Sequence, residues 1–138
     1  LILARELDLE NEIQDIEIQN LIPEEFREIP KEDFLGKLDG LDPYFEDLKS
    51  TQKSGSVLRY VAELGGDLTG STGELNVRLT SVPESSSAGQ LQGSDSLFEI
   101  YTESYGKNPF VIRGAGAGAE VTARGVFGDI LRLSEQLS

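Results

Sequence analysis

The 138-residue chain contains no cysteine, no histidine, no methionine and no tryptophan. Without cysteine there are no disulfides and no thiolate metal sites, and the compartment stays open with a lean towards the cytosol. Without histidine the commonest general base and the commonest nitrogen ligand are missing, so no metal ligand is assigned. The serine run Ser85 to Ser87 has no imidazole to activate it, which excludes a classical serine hydrolase. Positive charge is also scarce: 12 Lys and Arg stand against 25 Asp and Glu, a formal net charge of −13. Such a chain is repelled by phosphate backbones and anionic headgroups, so neither a nucleic-acid partner nor a membrane-surface role is expected. No apolar run approaches the ~18 residues of a membrane span, and no signal-peptide pattern opens the chain. The expected location is cytoplasmic. Even position 1 lacks methionine, and "LILARELDLE" already reads as helix. The expectation is a fragment of a longer protein whose start falls within a helix.

What is present is ordinary for a globular protein: 38% hydrophobic and 27% charged residues, enough chain for one domain over residues 1–138. Leu3, Ala4 and Leu7 fall at helical spacing in the opening segment. "DIEIQNLIP" alternates Ile16 and Ile18 with polar residues, a half-buried strand that Pro23 ends. A short helix is predicted from Pro30 to Leu38, interrupted at Asp39-Gly40. A second is predicted with Asp42 as its cap and Pro43 at its first position, ending before Gly55.

The period then changes to two. "SVLRYVAEL" places Leu58, Tyr60, Ala62 and Leu64 on one face, and "ELNVRLTSV" does the same with Leu75, Val77 and Leu79. Pro83 to Gly93 has the composition of a mobile loop. "SLFEIYTESY" is another alternating strand, and the short connection from Tyr105 to Pro109 pairs it antiparallel with "FVIR". A last helix begins near Ala119 and carries Val121, Val126, Phe127, Ile130, Leu133 and Leu137 on a broad apolar face. The fold class expected is α+β: a largely antiparallel (mixed) sheet covered by helices on one face.

One motif carries a mechanism. In "RGAGAGAEVTARG", Gly114, Gly116 and Ala119 fit G-x-G-x-x-G/A, with Gly118 as a third glycine between a strand and a helix. Glycines there allow close approach of the backbone to a ligand, and the free N–H groups of the helix's first turn favour an anion. A dinucleotide fingerprint also needs a second strand and an acidic residue about 20 residues on. Asp129 and Glu135 lie inside the last helix and do not supply it. By periodicity alone the loop is either a ligand contact or a glycine turn that packs a helix against a sheet. Lys107 and Arg113 flank it and are candidates to assist anion binding, or simply strand-end charges. Asp95, shortly after Gly93 in a polar loop, is either a turn residue or a ligand contact, with the turn favoured. Glu24-Glu25, Glu32-Asp33 and Glu46-Asp47 read as solvated faces and helix starts.

Taken in order, "LILARELDLE", "DIEIQNLIPEEF", "GSVLRYVAEL", "GSDSLFEIYTESY" and "PFVIRGAGAGAEVTARGVFGDILRL" resemble the C-terminal part of homoserine dehydrogenases, most like the bifunctional aspartokinase–homoserine dehydrogenase branch. The resemblance implies an oxidoreductase that interconverts L-aspartate 4-semialdehyde and L-homoserine with NADH or NADPH, on the route to threonine, methionine and isoleucine. It implies an upstream Rossmann domain for the cofactor, with a fused aspartokinase in the bifunctional branch. This region would supply the substrate side and a sheet for homodimerisation. Residues 109–138 would return the chain to the nucleotide domain, against which the last helix would pack. Gly118 matches the family's cofactor-contacting glycine; Gly116, Ala117 and Thr122 are its neighbours. The family's catalytic lysine and substrate-binding acids lie upstream of "LILARE", so no catalytic residue is assigned. NAD(P) belongs to the full-length enzyme, and the 138-residue chain is expected to be inactive and to hold none by itself. A few loop hydrogen bonds of ~1 kcal/mol each fall far short of the roughly 8 kcal/mol that micromolar binding requires. The competing reading is a stand-alone acidic module for ligand binding or protein interaction.

Overall fold

A computed structural model describes residues 1–137. The class is α+β, with the strands in two sheets rather than one. The chain divides into two compact units, Leu1–Glu84 and the remainder from Ser85.

The first unit opens with α1 (Ile2–Glu6). Asp8 then takes a left-handed conformation (φ +57°), which its short polar side chain tolerates. The chain folds back so that the Leu9 N–H donates to the Ala4 carbonyl at 2.9 Å. That turn buries Leu9 and Ala4 against Leu75, with Ile16 and Leu64 packed around them. Strand β1 (Ile16–Ile18) is shorter than the alternation suggested. Helix α2 (Lys31–Leu35) follows, and Asp39-Gly40 lies in a 3-10 turn (Leu38–Leu41) instead of a break.

Helix α3 (Asp42–Ser50) differs from expectation at its start. Leu41 is the capping position and Asp42 the first helical residue, so Pro43 sits at the second. Proline fits there because its missing N–H would have no intrahelical partner in that turn. Strands β2 (Ser56–Gly65) and β3 (Glu74–Pro83) form a ten-residue antiparallel ladder. Leu58, Tyr60, Ala62 and Leu64 face Ser81, Leu79, Val77 and Leu75, so the period-two pattern sets the register. Strand β1 joins β3 in parallel, giving the order β1-β3-β2.

Asn11 is the buried polar residue of this unit, 3% exposed. Its Nδ2 donates to the Gly73 carbonyl (3.0 Å) and its Oδ1 accepts from the Gly73 N–H (2.8 Å). A Cβ at Gly73 would come within 3.1 Å of Leu64 Cδ1 and of the Gly65 carbonyl, so a larger residue would crowd the turn.

The second unit is a two-stranded antiparallel ribbon, β4 (Asp95–Ile100) with β5 (Phe110–Ala115), followed by α4 (Ala119–Gln136). The segment expected to be mobile is a hydrogen-bonded turn at its centre: Gln90 N donates to Ser86 O (3.0 Å) and Gly89 N to Ser86 Oγ (3.0 Å). Serine composition favours turns as readily as disorder, because the hydroxyl can bond its own backbone. The expected apolar face of α4 is real but exposed, with Phe127 62% and Ile130 57% accessible. On the ribbon, Phe98 opposes Ile112 and Ile100 opposes Phe110, and all four are about half exposed.

Candidate functional site

The loop between β5 and α4 has the strand–glycine–helix geometry that the motif implied. Gly114 lies inside β5, Gly116 and Ala117 form the crossing, and Ala119 opens α4. Gly118 is the N-cap, with φ +135° and ψ 146°. That conformation is strained for any residue carrying a Cβ, which explains glycine at this position. A Cβ there would meet nothing within 4 Å, so the loop is open on that side. No side chain caps α4, so its first N–H groups are left to a ligand or solvent. Thr122 contributes its N–H to the Gly118 carbonyl (3.0 Å), the first bond of the helix. The arrangement fits a phosphate or another anion.

The neighbouring charges are arranged in pairs. Glu120, in the first turn, is held by Arg124 at 2.6 Å, which offsets an acid beside an anion-favouring terminus. Arg113 directs both Nε (3.1 Å) and an Nη (2.8 Å) onto one oxygen of Asp95. Arg113 is therefore committed to the ribbon, and Asp95 is the first residue of β4 and not a loop residue. The sequence singled out both residues but not their pairing, which the β4–β5 register creates. Lys107 lies in the connection between the strands, at the far end of the ribbon from the loop.

The loop is tied to the start of β4 by contacts no motif signals. Gly116 N donates to the Ser94 carbonyl (2.8 Å), and Ser94 Oγ donates to the Ala117 carbonyl (3.0 Å). Gly116 has no room for a side chain, because a Cβ would collide with the side chain of Ser96.

Elsewhere, in the first unit, Asn20, Ile22, Phe26, Arg27, Ile29, Lys31 and Phe34 line an open groove. Phe26 and Phe34 meet edge to face at 6.4 Å, and Arg27 Nε donates to the Ile22 carbonyl at 2.7 Å. Glu24-Glu25 and Glu32-Asp33 occupy the first turns of short helices, in keeping with helix starts. Among the described residues no group of His, Cys, Asp and Glu is arranged to hold a metal ion. No described helix is long and apolar enough to cross a membrane.

The homoserine dehydrogenase family model matches residues 1–131. The chain belongs to the homoserine dehydrogenase family. It is 39% identical to the bifunctional aspartokinase/homoserine dehydrogenase 1 of Zea mays, over 99% of this chain and 15% of that protein. It is 36% identical to the homoserine dehydrogenase of Emericella nidulans, over 99% of this chain and 38% of that one. A solved Candida auris protein described as of unknown function superposes with a TM-score of 0.70 at 33% identity, covering 97% of this chain and 37% of that chain. The chain thus spans between about one seventh and two fifths of the relatives it matches. Family membership covers the loop as well as the sheet, so the motif at 114–119 is part of a homoserine dehydrogenase pattern and not an isolated match.

Proposed function

We propose that this chain is the substrate-side and dimerisation region, residues 1–138, of an enzyme that interconverts L-aspartate 4-semialdehyde and L-homoserine with NAD(P)H. Its loop closes the cofactor site from the C-terminal side. The observation that carries this reading is Gly118, held at φ +135° at the uncapped start of α4 with open space beside it. Gly118 makes the backbone contact, Gly116 and Ala117 shape its approach, and Thr122 stabilises the helix start. When bound in the full-length enzyme, the nicotinamide would supply or accept the hydride. The residues of this chain bind and orient, while the proton-handling groups belong to the upstream part of the enzyme.

The chain's small share of its relatives' length supports further domains in the same polypeptide. A Rossmann domain is the first of these, and matches to bifunctional proteins support a fused aspartokinase. The exposed apolar face of α4 suits contact with the nucleotide domain, and that of the ribbon suits a second subunit.

In the full-length enzyme, Gly118→Val is expected to raise the cofactor KM about tenfold or more, the equivalent of ~1.4 kcal/mol. The homoserine KM should change little. An unchanged cofactor KM overturns the assignment of Gly118. The 138-residue chain alone is expected to give no NAD(P)-dependent oxidation of homoserine, and measurable turnover would overturn the placement of the catalytic groups upstream.

A further inference from the structure

The glycine loop does not hold its own shape. Glycine-rich backbone is the most freely rotating backbone available, so a contact made by Gly118 needs residues 116 and 117 to be fixed from outside. The turn before β4 supplies this. Gly93 enters it at φ +55°, and the Asp95 N–H closes it on the Gln92 carbonyl at 3.0 Å. Asp95 is anchored in turn by Arg113 from the opposite strand.

Ser94 sits at the apex of this turn and engages the loop twice, 22 and 23 residues along the chain. Its carbonyl accepts from Gly116 N (2.8 Å), and its Oγ donates to the Ala117 carbonyl (3.0 Å). Ser96 completes the clamp by filling the space where a side chain on residue 116 would lie. The peptides that flank the Gly116–Ala117 step, 115–116 and 117–118, are thereby held, and Gly118 follows directly at the start of the helix.

We infer that Ser94 is a positioning residue for cofactor binding, holding the Gly116–Ala117 backbone so that Gly118 presents its contact. The inference rests on the reading of the loop given above. Ser94 is not a catalytic residue: its single hydroxyl proton is already committed to the Ala117 carbonyl. Because Ser94 is exposed, replacing it leaves no buried void.

The test uses the full-length dehydrogenase and steady-state kinetics with the cofactor and homoserine varied separately. Ser94→Ala is expected to raise the cofactor KM about three- to tenfold, the range for one lost neutral hydrogen bond. The kcat and the homoserine KM should stay within about twofold on the same grounds. Ser94→Thr, which keeps the hydroxyl, should restore the cofactor KM. If Gly118→Val raises the cofactor KM and Ser94→Ala does not, the role of Ser94 is overturned while the cofactor reading stands. If neither variant moves it, the cofactor reading falls and this inference falls with it. A Ser94→Ala variant that loses kcat and both KM values together, without recovery in Ser94→Thr, would show a structural role only and also overturn it.

Discussion

Up to Glu84 part of the chain's apolar pattern folds inward around a small core; from Ser85 on the same kind of pattern buries nothing among the described residues. Ala4, Leu9, Leu41 and Leu75 are all at most 9% exposed, and Asn11 is buried with both ends of its amide bonded to one residue. No described residue from Ser85 onward is buried. Yet Val126, Phe127, Ile130 and Leu133 on α4 are as regularly spaced as anything in the first unit, and each is more than half exposed. Amphipathic spacing states that a face requires cover, not what covers it. In the first unit the cover is a returning strand of the same unit. In the second, the face stays exposed, and the glycine loop joins its helix to the ribbon.

The largest effect that tests this contrast is on Leu9. Leu9→Ala is expected to cost about 3 kcal/mol of the first unit's stability, measured by urea denaturation followed through the β2–β3 amides. A cost below about 1 kcal/mol would mean the small cluster is not a core. Asn11→Ala should follow at about 2 kcal/mol, because it breaks both bonds to Gly73 and leaves the half-buried Gly73 N–H and carbonyl without that partner. Ile130→Ala, on the exposed face of α4, is expected to stay within about 0.5 kcal/mol in the 138-residue chain. A large loss there would show that α4 is covered within this chain and would erase the contrast.

The smallest effect is electrostatic and lies in the turn between β2 and β3. The Thr69 hydroxyl (2.6 Å) and then its N–H (3.0 Å) bond Asp67 Oδ1 and hold that carboxyl below its ordinary value of 3.8. A depressed carboxyl stabilises the fold above the ordinary carboxylate range, and that contribution disappears as pH falls through the folded value. Thr69→Val should therefore raise the Asp67 midpoint in a carboxyl NMR titration, with little change in stability near neutrality because the group is fully exposed. An unmoved midpoint would show that the side-chain bond contributes nothing.

The helix of residues 119–136, the alternating faces of β2 and β3 and the strand–loop–helix around Gly118 were legible because each follows from periodicity or from glycine's backbone freedom. Capping at Asp42 was misread because position-one and position-two prolines look alike in a sequence, and only the backbone angles separate them. The order of Ser86, Gly89 and Gln90 was hidden because a serine-rich segment that bonds itself has the composition of one that does not.

From the sequence alone follow the family, the alternation of helix and strand, and a glycine-rich turn between strand and helix at 114–118. These depend on neighbours in the chain or on a single residue's allowed angles. Only the tertiary structure decided that Asn11 closes on Gly73 across 62 residues, that Asp95 occupies Arg113, and that Ser94 holds Ala117. Each is a hydrogen bond or ion pair between distant segments. Its existence depends on strand register and turn geometry, which set distances that no local pattern encodes.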